Sequence, residues 1–171
     1  MKNLENYIRS VKDFPKPGID FKDLTPLLLN PEAVALCLSA LYSKIEGKQI
    51  DKVIGIESRG FFFGTLLAQK CNAGFIPLRK KGKLPHKTLQ ETFNLEYGTD
   101  VLEIHQDAIK PGEKILIHDD VLATGGTALA ACNLVEQLGG EIVQCNFIVE
   151  LGFLNGKEKI SKYPIEAAIQ Y

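Results

Sequence analysis

Residues 115–127 read ILIHDDVLATGGT and carry the most informative pattern in the chain. A short apolar run, typical of a strand buried on both faces, leads to two adjacent carboxylates, Asp119 and Asp120. A Thr-Gly-Gly-Thr loop follows and opens a helical pattern. Because ligands of open α/β sheets bind at the carboxyl ends of strands, we expect both aspartates to lie beside a ligand.

The loop has the composition of a phosphate-binding turn. Gly125 and Gly126 let the backbone approach a ligand closely, Thr124 and Thr127 add hydroxyl donors, and the helix N-terminus adds partial positive charge. The two aspartates would repel a phosphate, but carboxylates accept hydrogen bonds from sugar hydroxyls and hold Mg²⁺ directly or through water. A phosphorylated sugar satisfies both needs, which a purely structural turn does not explain. The absence of GxxxxGK[ST] and GxGxxG excludes the common nucleotide-binding loops.

The segments on either side of this run alternate between strand and helix. Strands are predicted over 53–57, 74–78, 91–97, 114–118 and 141–149, and helices from near Gly60 and over about 127–138. Short apolar strands that alternate with helices predict a parallel sheet covered on both faces. Residues 91–105 instead alternate apolar and polar side chains around Gly98, which predicts a hairpin rising off the main sheet.

The N-terminal region reads as two helices separated by a break. Apolar residues recur at helical spacing over 4–11, and the DFPKPGIDF segment (13–21) then forces an irregular extended stretch. Asn30 and Pro31 form a typical helix start, and the apolar stripe that follows predicts a helix to about Glu46.

Composition and charge are those of an ordinary soluble globular protein. The chain has 171 residues, 45% hydrophobic and 24% charged, which suits one domain and excludes disordered and low-complexity classes. The formal net charge of -1 allows a nucleic-acid surface only as a local patch, and we expect no nucleic-acid partner.

No membrane span or secretory signal is predicted. The longest stretch without a formal charge, residues 121–135, is shorter than the roughly 18 apolar residues of a membrane helix, and the N-terminus meets a charge every few residues. The four cysteines form no CxxC pair, so they are interpreted as buried thiols in a reducing compartment. We therefore expect a cytoplasmic protein without a membrane partner.

The DDVLATGGT run after an apolar strand resembles the 5-phosphoribosyl-1-pyrophosphate (PRPP) signature of type I phosphoribosyltransferases. The segments GIESRGFFFG (55–64), PLRKKGKLP (77–85) and NLEYGTDVLEIHQDAI (94–109) narrow the resemblance to the adenine phosphoribosyltransferases. PGIDFKDLTP (17–26) and VELGFL (149–154) extend it over nearly the entire chain. The resemblance implies transfer of the 5-phosphoribosyl group of PRPP to adenine, giving AMP and pyrophosphate, a step of purine salvage.

A fold and an assembly come with the resemblance. It implies a type I phosphoribosyltransferase-like α/β domain over residues 1–171, with a central parallel five-stranded sheet and helices on both faces. A small hood would come largely from about residues 1–35, with contributions from the C-terminal region. The implied cofactor is Mg²⁺, held through PRPP and water with no direct protein ligand assigned. The implied partners are adenine, PRPP and a second copy of the chain in a homodimer.

The resemblance also assigns roles to the PRPP motifs. Asp119 and Asp120 would bind the ribose. The 5′-phosphate would be bound by Ala123, Thr124, Gly125, Gly126 and Thr127. Ser58 and Arg59, which follow a buried strand, would bind pyrophosphate in a turn with a cis peptide at Glu57–Ser58 or Ser58–Arg59. An arginine at this position offers a bidentate fork for phosphate oxygens.

A basic loop contains Arg79, Lys80, Lys81 and Lys83 around Gly82. Taken alone, such a run is equally well explained by a solvated surface. Cations there would stabilise the charge that gathers on departing pyrophosphate, and a mobile loop could close and exclude water. The resemblance implies that Arg79, Lys80 and Lys83 contact pyrophosphate, with the subunit that supplies them left open.

Candidate catalytic residues are Arg59 and Glu96. The resemblance places Glu96 near the purine and ribose, where a carboxylate could take the proton that the base loses as its N9 attacks C1′. The alternative is an exposed strand glutamate.

Adenine recognition is implied at three positions. Phe21 and Leu151 match residues that sandwich the ring, and the backbone of Asp20 matches a position that reads its edge. Simple packing is the alternative for Phe21. Lys22 stands where many family members carry Arg, so it is left outside the predicted site.

Two other functions remain open on the sequence. One is a phosphoribosyltransferase for another base, such as hypoxanthine, guanine or xanthine, because preference for the amino group depends on backbone geometry. The other is a PRPP-sensing regulator without chemistry, although residues 1–50 contain no basic recognition helix.

Overall fold

The structure is a computed structural model that describes residues 3–14, 16–94 and 98–171. Its contacts divide the chain into two compact units, residues 1–40 and 41–171. No helix within the described ranges is both long and apolar enough to cross a membrane.

The first unit is built around a small antiparallel strand pair. A 3-10 helix, Leu4–Tyr7, precedes β1 (Arg9–Lys12), which pairs with β2 (Asp20–Asp23) so that Val11 faces Phe21. The predicted helix through Val11 is therefore wrong, because these residues pair across a sheet and leave only one short helical turn. The short α1 (Thr25–Leu28) follows.

Helix α2 (Pro31–Ser43) begins as the sequence predicts and ends about one turn earlier. The Asn30 side chain accepts hydrogen bonds from the N–H groups of Glu32 and Ala33 at 3.0 and 3.1 Å, which confirms the predicted cap.

The second unit contains a seven-stranded sheet in the order β5-β6-β4-β3-β7-β8-β9. Its strands are β3 (Lys52–Ile56), β4 (Gly74–Lys80), β5 (Thr88–Asn94), β6 (Thr99–His105), β7 (Lys114–Leu122), β8 (Glu141–Glu150) and β9 (Ile165–Gln170). The five strands from β4 to β9 in this order run parallel, which confirms the predicted parallel core, although β9 is not among the strands that the sequence pattern predicted.

The predicted hairpin exists but does not leave the sheet. Strands β5 and β6 pair antiparallel from Thr88 opposite His105 to Asn94 opposite Thr99. Strand β6 also pairs antiparallel with the end of β4, where Arg79 faces Glu103. The hairpin therefore extends the parallel core as an antiparallel edge.

Two longer helices connect the parallel strands. Helix α3 (Gly60–Lys70) joins β3 to β4, and helix α4 (Gly126–Gln137) joins β7 to β8. The two connections lead to opposite sides of the β3–β7 pair, and such crossovers are almost always right-handed. This places α3 and α4 on opposite faces, so the sheet is covered on both sides as predicted.

The core of this unit lies between the sheet and these helices. The central strands are almost continuously buried, as expected for strands covered on both faces.

The four cysteines of the chain are all free thiols. Cys132 and Cys145 are buried with their sulfurs 3.6 Å apart, Cys37 is buried and Cys71 is half-buried. After β8, a 3-10 helix (Gly152–Leu154) and α5 (Gly156–Lys159) lead to β9.

Strands β3 and β7 form the point at which the strand order reverses. The chain proceeds from β3 to β4 on one side and from β7 to β8 on the other. A crevice opens at the carboxyl ends of strands at such a point, and ligands of open α/β sheets bind there. The segments after Ile56 and around Asp119 both reach this edge.

Candidate active site

The turn after β3 and the end of β7 meet at the point of reversal. The Nε of Arg59 lies 2.8 Å from an oxygen of Asp120, whose side chain is 5% exposed. The peptide bond between Glu57 and Ser58 is cis, one of the two positions that the family resemblance implied. The structure therefore brings together the predicted ribose and pyrophosphate residues.

Gly60 allows this close approach. A Cβ atom there would lie 2.9 Å from the carbonyl oxygen of His118 and 3.1 Å from a carboxylate oxygen of Asp119. The first residue of α3 must therefore be glycine for the helix to reach β7, since a side chain would push the two apart.

The two aspartates belong to the strand itself rather than to the residues after it. Strand β7 continues to Leu122, so the predicted end at residue 118 is too early. The Asp120 N–H donates to an Asp119 carboxylate oxygen at 2.8 Å. Pairing with β8 extends the strand, because Val121 and Leu122 have partners there.

Burial raises the pKa of Asp119 well above the usual aspartate range, and the neighbouring charge of Asp120 raises it further. Burial also raises the pKa of Asp120, although the Arg59 guanidinium opposes the effect. The ionised pair is thus poorly stabilised by the protein alone. Hydroxyl donors or a cation from a ligand would stabilise it.

The loop after β7 presents unpaired amides. Within the described chain, the N–H groups of residues 124–128 find no backbone acceptor, and the first that does is Leu129, which donates to Gly125 at 2.9 Å. These are the free donors of a helix N-terminus, next to the positive end of α4. The arrangement is suited to an anion.

Gly156, which the sequence did not predict as a site residue, lies directly against the backbone of the loop. Gly125 has φ +77°, and a Cβ atom there would lie 2.3 Å from the carbonyl oxygen of Gly156. A Cβ atom on Gly156 would lie 2.1 Å from the carbonyl oxygen of Ala123. Nothing in the sequence around Gly156 reveals this contact, which only the fold creates.

A cleft opens over the loop. Its lining combines one aspartate with the loop and neighbouring apolar residues: Asp119, Val121, Leu122, Ala123, Thr124, Gly125, Thr127, Ala128 and Phe147. Asp119, one of the two predicted ribose residues, thus shares one cavity with four of the five predicted phosphate residues, whereas Asp120 and Gly126 are not part of this lining.

The predicted basic loop is partly strand. Arg79 and Lys80 are the last residues of β4, so only the residues after them form a turn, and the prediction of one loop is wrong for these two. Pairing with β6 holds both in the sheet. Lys80 forms an ion pair with Asp100 at 2.6 Å.

Glu57, which the sequence analysis named only for its peptide bond, anchors this basic segment. Its carboxylate accepts from Arg79 Nε at 3.2 Å and from the Lys80 N–H at 2.9 Å, and it also pairs with Lys83. Its position directly after a buried strand was the available signal, because it reaches the same edge as Ser58.

The residues predicted for adenine lie in both units. Asp20 and Phe21 belong to β2, where Phe21 packs edge-on against Phe14 with ring centroids 5.3 Å apart. Leu151 follows β8, and its N–H donates to Leu122 at 2.9 Å. Glu96, the predicted proton acceptor, lies outside the described residues.

Known proteins identify the family. The sequence model of one protein family, the phosphoribosyl transferase domain, matches residues 24–167. An adenine phosphoribosyltransferase of Flavobacterium johnsoniae is 64% identical over 168 residues, which cover 98% of this chain and 99% of the relative.

Two solved structures have the same fold. The adenine phosphoribosyltransferase of Rhodothermus marinus matches with a TM-score of 0.93 at 53% identity, over 98% of this chain and 96% of that one. The enzyme of Saccharomyces cerevisiae, complexed with adenine and an imino-altritol bisphosphate, matches with a TM-score of 0.91 at 40% identity over 96% of each chain. The chain belongs to the adenine phosphoribosyltransferases of the phosphoribosyl transferase family.

Proposed function

We propose that this chain transfers the 5-phosphoribosyl group of PRPP to adenine, giving AMP and pyrophosphate, at the carboxyl edge of β3 and β7. The observation that carries the proposal is the row of amides at residues 124–128, which find no backbone acceptor within the described residues, beside the half-buried carboxylate of Asp119 and the buried carboxylate of Asp120. A phosphate monoester and a pair of sugar hydroxyls complement these two groups. The names of the relatives supply the identity of the base.

The 5′-phosphate occupies the loop formed by Ala123 to Thr127. Its charge is stabilised by the free N–H groups and the positive end of α4, with hydroxyl donors from Thr124 and Thr127. The ribose hydroxyls donate to Asp119 and Asp120. These hydrogen bonds favour the ionised carboxylates, which burial disfavours.

Pyrophosphate leaves towards Ser58, Arg59 and the basic segment of Arg79, Lys80 and Lys83. Charge accumulates on its oxygens as the bond to C1′ breaks, and cations placed beforehand lower the free energy of that state. We expect an oxocarbenium-like transition state in which positioning and charge stabilisation supply most of the rate enhancement.

Magnesium fits this site as a companion of the substrate. No group of three His, Cys, Asp or Glu side chains that could hold a metal is found among the described residues. Mg²⁺ would arrive on PRPP and be held through it and water, and its charge would favour the ionised forms of the nearby Asp119 and Asp120. The ion would neutralise part of the pyrophosphate charge.

Several further assignments rest on the family resemblance and stay predictions. They are a hood over about residues 1–35, adenine contacts from Asp20, Phe21 and Leu151, Glu96 as the general base, a homodimer and a cytoplasmic location. For a homodimer, size-exclusion chromatography with light scattering should give twice the mass of the chain.

A base-by-base assay tests the function. Purified protein with PRPP and Mg²⁺ is expected to convert adenine to AMP and to leave hypoxanthine, guanine and xanthine unchanged. Turnover of another base in place of adenine would assign a different specificity. Binding of PRPP without turnover of any purine would favour a regulator.

A further inference from the structure

Glu57 is the most heavily paired carboxylate at the proposed pyrophosphate site. Glu57 directly follows β3 and precedes Ser58 in the chain, and its side chain is 8% exposed. Arg79 Nε lies 3.2 Å away, Lys83 forms a short ion pair, and the Lys80 N–H donates at 2.9 Å. One buried anion therefore binds two of the cations assigned to pyrophosphate.

The charge on Glu57 is permanent at neutral pH. Burial alone would raise the pKa of this carboxyl, but Lys83, the Lys80 N–H and Arg79 outweigh it and lower the pKa to about 2. Charge-assisted hydrogen bonds of this kind also fix the positions of the cations that donate them.

The other proposed pyrophosphate cations are paired in a similar way. Arg59 contacts Asp120 and Lys80 contacts Asp100. Without a ligand, each of these cations thus has a protein carboxylate as its partner. Glu57 differs from Asp120, which has a proposed role towards ribose, because no substrate group is assigned to it.

We propose that Glu57 is a built-in counter-ion that competes with pyrophosphate for Arg79 and Lys83. It holds both cations at the site while the site is empty, gives them up to the pyrophosphate group of PRPP, and takes them back as the product leaves. Glu57 is in this sense a positioning residue. The inference rests on the proposed function, since it needs a pyrophosphate group at this edge.

Competition sets the direction of the expected effect. If an internal anion must be displaced, part of the attraction between cations and pyrophosphate is spent on breaking existing pairs. Removal of that anion should therefore tighten pyrophosphate binding and slow product release. A residue that only supported the fold would have the opposite effect, because a disordered segment binds more weakly.

The test uses Glu57→Gln, which keeps the size of the side chain and an oxygen that can accept the Lys80 N–H. Calorimetry with Mg²⁺-pyrophosphate should give a Kd about fivefold lower than for the natural protein, the scale of one charge pair near a surface. Product inhibition by pyrophosphate should tighten in parallel, while KM for adenine stays unchanged. Glu57→Asp, which keeps the charge, should lie closer to the natural protein.

Glu113→Gln is the matched control. Glu113 also pairs with a lysine, Lys52 at 2.8 Å, and accepts a backbone N–H, from Lys110 at 2.7 Å, but it lies at the opposite edge of the sheet. Its substitution should leave the pyrophosphate Kd unchanged. Thermal unfolding of all variants shows that each is folded.

Weaker or unchanged pyrophosphate binding in folded Glu57→Gln would overturn the proposal. This result differs from failure of the proposed function. In that case the natural protein itself would neither bind pyrophosphate nor form AMP, whereas here it would do both.

Discussion

Carboxyl groups at the two edges of the parallel sheet differ in the direction of their pKa shifts. At the amino edge, Asp51 accepts the Lys114 N–H at 2.7 Å and Glu113 pairs with Lys52, and these donors lower the pKa of both carboxyls. At the carboxyl edge, burial raises the pKa of Asp119 and Asp120. The protein thus satisfies its charges where they support the fold.

This difference indicates what each edge is for. Carboxylates that already have donors contribute to stability and have little to offer a ligand. Carboxylates whose ionised form is poorly satisfied reduce stability and gain from a ligand that brings donors. Glu57 and Asp100 are exceptions near the carboxyl edge, because cations that we assign to the substrate satisfy them beforehand.

The largest contrast is expected from removing the charges at each edge. Asp119→Asn with Asp120→Asn should reduce the rate of AMP formation by about 10²-fold or more, since contacts to the ribose are lost from the transition state. Asp51→Asn should leave the rate unchanged and lower Tm. Steady-state kinetics and thermal unfolding measure both effects, and near-normal turnover in the double variant would refute the role of the pair.

A smaller effect is expected from the basic segment. Replacement of Lys80, Lys81 and Lys83 by alanine should reduce kcat and the use of PRPP by about tenfold to a hundredfold, because charge on the leaving group is less stabilised. The rates are measured at saturating adenine with PRPP varied. Lys110→Ala with Lys114→Ala is the control at the amino edge, and equal rates in the two variants would make the basic segment an ordinary solvated surface.

The phosphate loop should be sensitive to a single methyl group. Gly125→Ala places a Cβ atom 2.3 Å from the carbonyl oxygen of Gly156, so the loop must shift and KM for PRPP should rise several-fold, with KM for adenine unchanged. Gly112→Ala is the control that separates the backbone strain of a positive φ from the displacement of the loop by a steric clash. Gly112 also has a positive φ, +83°, but its Cβ would meet nothing within 4 Å, so this variant should only lose about 1 kcal/mol of stability.

The smallest effect concerns stability and its dependence on pH. The pKa of Asp119 is raised in the folded state, so its ionisation opposes folding above the ordinary aspartate pKa. Asp119→Asn should therefore raise Tm at pH 7, and the gain should vanish as the pH falls well below about 4, where the unfolded carboxyl also binds a proton. A lower Tm at pH 7 would contradict the assignment of this edge.

Asp51→Asn should give the reverse dependence. The pKa of Asp51 is lowered in the folded state by the Lys114 N–H, so its stabilisation is present above the ordinary aspartate pKa and is lost as the pH falls through the folded value. The difference in Tm between Asp51→Asn and the natural protein should shrink on acidification. A loss that is independent of pH would show that the charge is not the cause.

The sequence pattern predicts four of the five parallel strands because their signals are local, and it misses β9. Apolar runs, the Asn30 cap and the glycine loop each depend on neighbouring residues, and each was placed within a few residues of its position. The N-terminal strand pair was missed because the spacing of apolar residues over 4–11 satisfies a helix as well. Only pairing with β2 decides between the two.

The site was predicted where one motif holds its residues together, and missed where distant segments meet. Asp119, Asp120 and the loop after them share 13 residues of sequence, 115–127. Gly156 contacts the loop, and Glu57 forms ion pairs with Arg79 and Lys83. Each of these contacts joins segments more than 20 residues apart, so the spacing of residues in the sequence does not reveal it. Such contacts depend on the strand order.

The most direct test follows the amide hydrogens of the phosphate loop. Hydrogen exchange is measured by NMR on the natural protein, alone and with ribose 5-phosphate. The N–H groups of residues 124–128, which find no backbone acceptor in the described chain, should gain the largest protection, and amides at the amino edge should not change. If ribose 5-phosphate binds while those five amides exchange as before, the phosphorylated pentose is held elsewhere and the site described for it is wrong.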